Sequence, residues 1–356
     1  MLKPGQTRFI LAFMVILFHI SQTIFLGPFA VGCFFILSGY WISLMYEKEY
    51  SKTQNALKVF YISRLWRLLP TFYIFTVLGI ITNFIIHNNL FIDLAHLQTL
   101  HKAIFFISNL VILGYAQNKI QIIGPAWSLD VELQFYLLFP LLFYFLRDKK
   151  QFVYLLTGVF FLVSCAILIN NQANLSETVL YYLFLFLIGF IIYFNKIRLS
   201  KKSEIIGLSI LFLIFVAHLI IPSLRSKILE NQSGYFKVVS LVMIFAAIPA
   251  LINSVHNQTN KFDKFLGEMS FMIYLSHWVW IIPYNLLITN IDKPSRIPYV
   301  LGFLGVTMLS SYLVYKFVDR PSERLRHSWI KKQPLKNIQE INVVQNKEAV
   351  VIQSST

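Results

Sequence analysis

Residues 8–26 read RFILAFMVILFHISQTIFL, an apolar run of bilayer length with a cation at its start and an imidazole deep inside it. A second run, PFAVGCFFILSGYWISLMY over 28–46, follows with hardly a break. The first run has no small-residue cleavage site, and with another span directly behind it, it reads as a retained helix and not as a signal peptide. Further runs follow at roughly 68–86, 132–146, 152–169, 178–195, 205–221, 235–252, 268–288 and 297–318. A helix needs about 20 residues to cross the hydrocarbon, so 132–146 falls short unless it extends at its N-terminal end. The expected fold is an all-α polytopic transmembrane helix bundle of about ten spans.

Composition agrees. The chain is 57% hydrophobic and 13% charged, with mean hydropathy +0.64, and a soluble domain would carry about twice that charge fraction. The net charge of +15 would suit a nucleic-acid ligand, so its distribution decides. With the N-terminus inside, 24 of the 31 Lys and Arg fall on the cytoplasmic side, chiefly at 47–67, 147–151, 196–204 and beyond Lys316; the other 7 fall outside or at span ends. That asymmetry predicts both termini in the cytoplasm and explains the charge as topology, with no nucleic-acid partner. Cys33 and Cys165 both lie in apolar runs and read as small buried hydrophobes, and no cluster of Cys and His suggests a metal.

The chain reads as one membrane domain, 1–326, followed by a polar cytoplasmic tail, 327–356, expected to be disordered. The longest stretch between spans, 87–131, alternates apolar and polar pieces and suggests a lid or re-entrant segment on the outer face. No internal repeat is visible, which counts against an inverted-repeat transporter.

Ionisable groups inside spans are expensive and need a reason. Arg8 and His19 are eleven residues apart, which returns a helix to within about 20° of the same face and separates them by about 16 Å along the axis. Snorkelling to lipid phosphate would explain Arg8 alone, but not a deep imidazole on the same face. Ser128, Glu132, Tyr136 and Pro140 step by four and share a face at the start of the fourth run. Ser128 as a helix cap, with Asp130 and Glu132 in the first turns, is the bland reading; it leaves the polar row unexplained. Glu132 needs a cationic or hydrogen-bonded partner there. Arg64 and Arg67 stand together at the cytoplasmic start of the third run, as anchors or as a fork for phosphate. Ser270, Tyr274 and His277 share a face of the ninth run. Gly32 and Gly39 permit close helix approach.

Taken in order, Arg8-x10-His19, Phe34-Phe35-Ile36-Leu37-Ser38-Gly39-Tyr40, Arg64-x2-Arg67-x2-Pro70, Ser128-Leu129-x2-Glu132-x2-Phe135-Tyr136-x3-Pro140 and Leu266-Gly267-x2-Ser270-x3-Tyr274-Leu275-x-His277 resemble the acyltransferase-3 family of bacterial membrane acyltransferases. The resemblance covers about residues 5–325 and does not extend to the appended extracytoplasmic hydrolase-like domain that some members carry. It implies O-acylation, usually acetylation, of an exported or cell-surface polysaccharide or lipid-linked glycan in the bacterial cytoplasmic (inner) membrane, with acyl-CoA (acetyl-CoA) as co-substrate and no bound cofactor. It further implies His19 as the principal catalytic residue with Arg8 as partner and Glu132 beside them. Arg64 and Arg67 would bind the donor, and Ser128, Tyr136, Tyr274 and His277 the acceptor. Two departures stand out: Asp319-Arg320-Pro321 replaces the family's Glu-Arg-Pro, and Gly32-Cys33 stands where an acidic residue commonly precedes the Phe-Phe pair. A neutral His19 suits a general base, with Glu132 orienting it or holding the sugar; alternatively His19 carries the acyl group briefly. A glycan transporter or flippase, or a structural partner of an export complex, are the competing classes.

Overall fold

The computed structural model describes residues 2–21, 25–86, 90–172, 174–229 and 233–336. Fourteen α-helices occur among them: α1 (Pro4–Ile20), α2 (Gly27–Lys48), α3 (Ala56–Ile85), α4 (Leu90–His96), α5 (Thr99–Val111), α6 (Trp127–Leu146), α7 (Lys150–Ile169), α8 (Val179–Phe194), α9 (Lys201–Ile220), α10 (Pro222–Leu229), α11 (Ser233–His256), α12 (Lys261–Ile288), α13 (Ile297–Val314) and α14 (Arg320–Lys331). The described chain is all-helical, its one β-bridge joining Thr53 to Leu335. Eight helical stretches are long and apolar enough to cross a membrane. The remaining two of the ten expected runs give shorter helices, α1 with 17 residues and α8 with 16. The run expected to start at 132 starts at Trp127 and reaches 20 residues.

The short length of α8 has a packing explanation. Its side chains are buried almost all round, as expected of a helix apolar on every face that sits inside a bundle. Protein, not lipid, surrounds most of it. Against α2 the contact is backbone to backbone: a Cβ on Gly39 would lie 2.1 Å from the Phe186 carbonyl oxygen, and one on Gly189 would lie 2.0 Å from that of Ile36. By contrast, α7 and α9 present Leu155, Leu162, Ile206, Phe212 and Leu213 outward, as lipid-facing helices do.

The segment between α3 and α6 is folded into the bundle at its near end. After α5, whose Phe106, Ile107 and Leu110 are exposed, the chain turns through left-handed Gly114 (φ 83°) and buries Ile112, Tyr115, Ile122, Ile123 and Ala126. Asp130 holds this turn: its carboxylate accepts the N–H groups of Gly114 and Ala116, both at 2.9 Å, and Gln134 bridges it to the Val179 N–H that opens α8. Asp130 is therefore a loop anchor and not a dipole partner of α6. Of the expected outer segment, 87–89 lie outside the described residues.

At the other end of the chain, α13 passes through one π-helical turn, Tyr315–Asp319, into α14. The boundary expected at 326/327 falls inside α14, where Arg326 and Ile330 are buried and the Trp329 ring lies 6.0 Å from that of Trp66. The chain then pairs with the α2–α3 connection through Gln54 N–H to Pro334 O and Lys336 N–H to Lys52 O, both 2.9 Å. So 327–336 is structured, contrary to the expected disordered tail: tertiary pairing overrides its polar composition. Residues 337–356 lie outside the described residues.

Candidate active site

A cavity of about 480 Å³ lies between α1, α2, α3, α6, α12 and α14. Exposed Thr259 and Lys264 stand at its mouth, beside the first turns of α1 and α12. Arg8, Arg64 and Glu132 line it, as do Ser128 and Tyr274. The mouth is at the basic end of the bundle, where α1, α3 and α12 begin. Close approach of α1 and α12 fixes its wall: a Cβ on Gly5 would lie 1.8 Å from the Asp263 carbonyl oxygen, and the Asp263 carboxylate accepts the Gln6 N–H at 2.9 Å.

Four guanidiniums line this space, and they are not equivalent. Arg67 pairs with buried Asp319 at 2.8 Å and with Glu323 at 3.5 Å. Arg326, 4% exposed, grips Glu323 at 2.6 Å and donates to Ser63 Oγ at 2.7 Å. Arg64 donates to the Tyr50 hydroxyl, lies against the rings of Tyr50, Phe60 and Tyr136, and leaves its buried Nε without a partner. Arg8 stacks 5.3 Å over Trp41 and has no hydrogen-bonding or ionic partner among the described residues. The expected phosphate fork of Arg64 and Arg67 therefore divides. The acids of the 319–323 stretch neutralise Arg67, while Arg64 and Arg8 face the cavity without a salt bridge among the described residues, Arg8 sensing the carboxylates of Glu132 and Asp263 only at longer range. Desolvated guanidiniums of that kind favour an anionic ligand.

Glu132 lines the same cavity on α6. Ser38 and Tyr136 both donate to its Oε1, Tyr136 at 2.5 Å, so Oε2 has no partner among the described residues. The partner that a carboxylate at this depth demands is thus a pair of hydroxyls. Ser128 does not cap α6; it meets the Tyr274 hydroxyl at 2.7 Å and donates to Pro125 O at 3.0 Å. Ser128, Glu132, Tyr136 and Tyr274 converge on one cavity, as does Ser270.

The histidines stand beyond it. His19 and His277 stack with ring centroids 5.3 Å apart, and the Trp278 ring meets His19 edge-on at 5.1 Å. His277 is fully buried; His19 is half-buried. Tyr274, whose ring lies 6.3 Å from that of His277, stands between the cavity and the pair. The shared helix face does not bring Arg8 and His19 into one chamber, because buried Leu11, Ala12 and Val15 fill the interval. Nor does Glu132 touch His19; it turns to Ser38 and Tyr136.

Sequence reasoning missed Tyr50, Ser63, Glu323 and Arg326 as parts of this site. Glu323 and Arg326 stand at the i,i+3 spacing of an ordinary helix-surface ion pair, and what makes them part of the site is contact with Arg67 and Ser63, more than 250 residues away; Tyr50 sits in a connecting turn. Ser38 lay inside a recognised stretch without a role.

A family model described as an acyltransferase domain matches residues 6–316. O-acetyltransferase OatA of Staphylococcus aureus (strain NCTC 8325 / PS 47) is 27% identical over 340 residues, covering 86% of this chain and 54% of the relative. OatA of strain MRSA252 gives the same figures. The chain spans about half the length of the curated relatives it matches. No solved structure matches. With a family match over most of its length, and the motif residues of five helices gathered around one cavity and one histidine pair, the chain belongs to the acyltransferase family.

Proposed function

We propose that this protein is a membrane O-acyltransferase that moves an acetyl group from acetyl-CoA on the cytoplasmic side to a hydroxyl of an exported or cell-surface polysaccharide. The observation that carries this reading is the cavity lined by two guanidiniums without a salt bridge among the described residues, Arg8 and Arg64, and by Glu132, whose Oε2 is open. The guanidiniums suit the phosphates of a nucleotide-bearing thioester, and an acceptor oxygen free of a cation suits a sugar hydroxyl. The activity in the relatives' name, O-acetyl transfer, fits the same chemistry. Ten spans, with both termini and the basic end of the bundle in the cytoplasm of a bacterial inner membrane, complete the arrangement.

In this reading the donor's phosphates lie against Arg8 and Arg64, with Arg67 held by Asp319 as part of the wall. The thioester points toward Ser128 and Tyr274. His19 takes the proton of the attacking hydroxyl as the carbon–oxygen bond forms and the carbon–sulfur bond breaks. The proton then passes to the thiolate, and CoA leaves as the thiol. Tyr274 lines the cavity with its ring 6.3 Å from that of His277, so in this reading contact between thioester and imidazole requires that side chain to swing aside. Radiolabelled acetyl-CoA added to membranes containing the protein tests the whole proposal. Label appearing on glycan is the expected result; label remaining entirely on CoA while glycan crosses the membrane would point to a transporter instead.

A further inference from the structure

His277 carries a feature that packing does not explain. Its ring is fully buried on α12, and Nδ1 is 3.0 Å from the carbonyl oxygen of Ile273, one turn back. A carbonyl only accepts, so Nδ1 holds the proton and Nε2 is a bare acceptor. That Nε2 is buried and has no hydrogen-bond partner among the described residues. Leaving an acceptor in that state costs about 1–3 kcal/mol, and a purely structural side chain at this position would avoid the penalty by being apolar. The ring stacked on it at 5.3 Å is His19, in the last turn of α1. The other rings nearby belong to Phe18, Tyr274 and Trp278.

We propose that His277 is a positioning residue for His19, its Nε2 accepting the N–H of the His19 imidazole in the reacting arrangement. The inference rests on the acyltransferase reading given above. The logic is that of a base and its orienting group, with a neutral imidazole in place of a carboxylate. Because Ile273 fixes the tautomer of His277, the His19 nitrogen turned toward Nε2 must carry hydrogen. The opposite nitrogen of His19 is then bare and faces the hydroxyl to be deprotonated. A modest rotation of the His19 ring at the end of α1 converts the observed stack into this hydrogen bond. A neutral partner at this depth also avoids placing a permanent charge in a low-dielectric site, where a carboxylate would need its own compensation.

The test compares His277→Phe, which keeps a ring and loses the acceptor, with His277→Gln, whose amide oxygen reaches the Nε2 position. Both are assayed in membranes for transfer of labelled acetyl groups, with KM for acetyl-CoA measured alongside kcat. The expected result is a kcat about 100-fold lower in the Phe variant, the lower range for a positioned proton-transfer group, with KM unchanged and most of the loss recovered in the Gln variant. Wild-type kcat in the Phe variant, or equal losses in both variants with KM intact, would overturn the inference while leaving the acyltransferase reading standing. Wild-type membranes that transfer no label would remove both. If the Phe variant loses the thermal stabilisation conferred by coenzyme A, His277→Asn replaces it: its amide reaches only the Nδ1 position. Gln active above Asn then supports the proposal, and Asn at the wild-type level refutes it.

Discussion

The two ends of the site differ in kind. The cavity is charged, with four guanidiniums, three of them engaged by acids or hydroxyls, and its one inner carboxylate, Glu132, held by two hydroxyls. The histidine pair three turns further along α1 is aromatic and apolar, its polar atoms bounded by Phe18, Tyr274 and Trp278. Under the proposed function the contrast assigns binding and bond-making to different environments. Charge would then serve where a phosphorylated donor has to be held, and neutral imidazole where a proton has to move without leaving a fixed ion in the membrane.

The strongest blow to this division is His19→Ala. Transfer should fall by at least about 100-fold while the protein still reaches the membrane in normal amount, as measured by label transfer and by immunodetection in washed membranes. Near-normal turnover would place the chemistry in the charged cavity alone. Next in size is Arg64→Ala, which removes a charge-assisted contact worth about 1.5–3 kcal/mol, so KM for acetyl-CoA should rise roughly tenfold to a hundredfold with a smaller change in kcat. Arg67→Ala separates itself from that variant by stability: it strands Asp319, a buried carboxylate, and should lower thermal stability by about 3–5 kcal/mol in detergent. Equal melting temperatures for the two Arg variants would erase the distinction between the wall and the ligand-facing charge. Glu132→Gln keeps the shape and loses the anionic acceptor; acceptor KM should rise about tenfold with donor KM unmoved. Smallest is Ser38→Ala, which leaves the Tyr136 bond to Glu132 in place and should weaken acceptor use by a few-fold, about 1 kcal/mol.

Much of this was legible from local periodicity. Steps of four predicted that Ser128, Glu132 and Tyr136 share a face, and all three line the cavity. Apolar runs located every long helix, because lipid imposes a length on each. What periodicity cannot report is which residues from distant helices meet. Arg64 and Arg67 look alike at a three-residue spacing, and only the return of α14 gives Arg67 its acids. The polar composition from 327 onward suggested a loose tail, yet Trp329 and the pairing of 334–336 with the α2–α3 connection tie it down. The helical reading of Arg8 and His19 was geometrically sound, but it could not show that Leu11, Ala12 and Val15 plug the space between them.

The guanidiniums lining the chamber have a consequence for traffic. In the proposed reaction the spent thiol leaves a seat still lined by Arg8 and Arg64, the same guanidiniums that hold the loaded thioester. Under the proposed function free coenzyme A competes for that seat, so the tempo of the protein would follow the ratio of acylated to free carrier in the compartment the mouth faces.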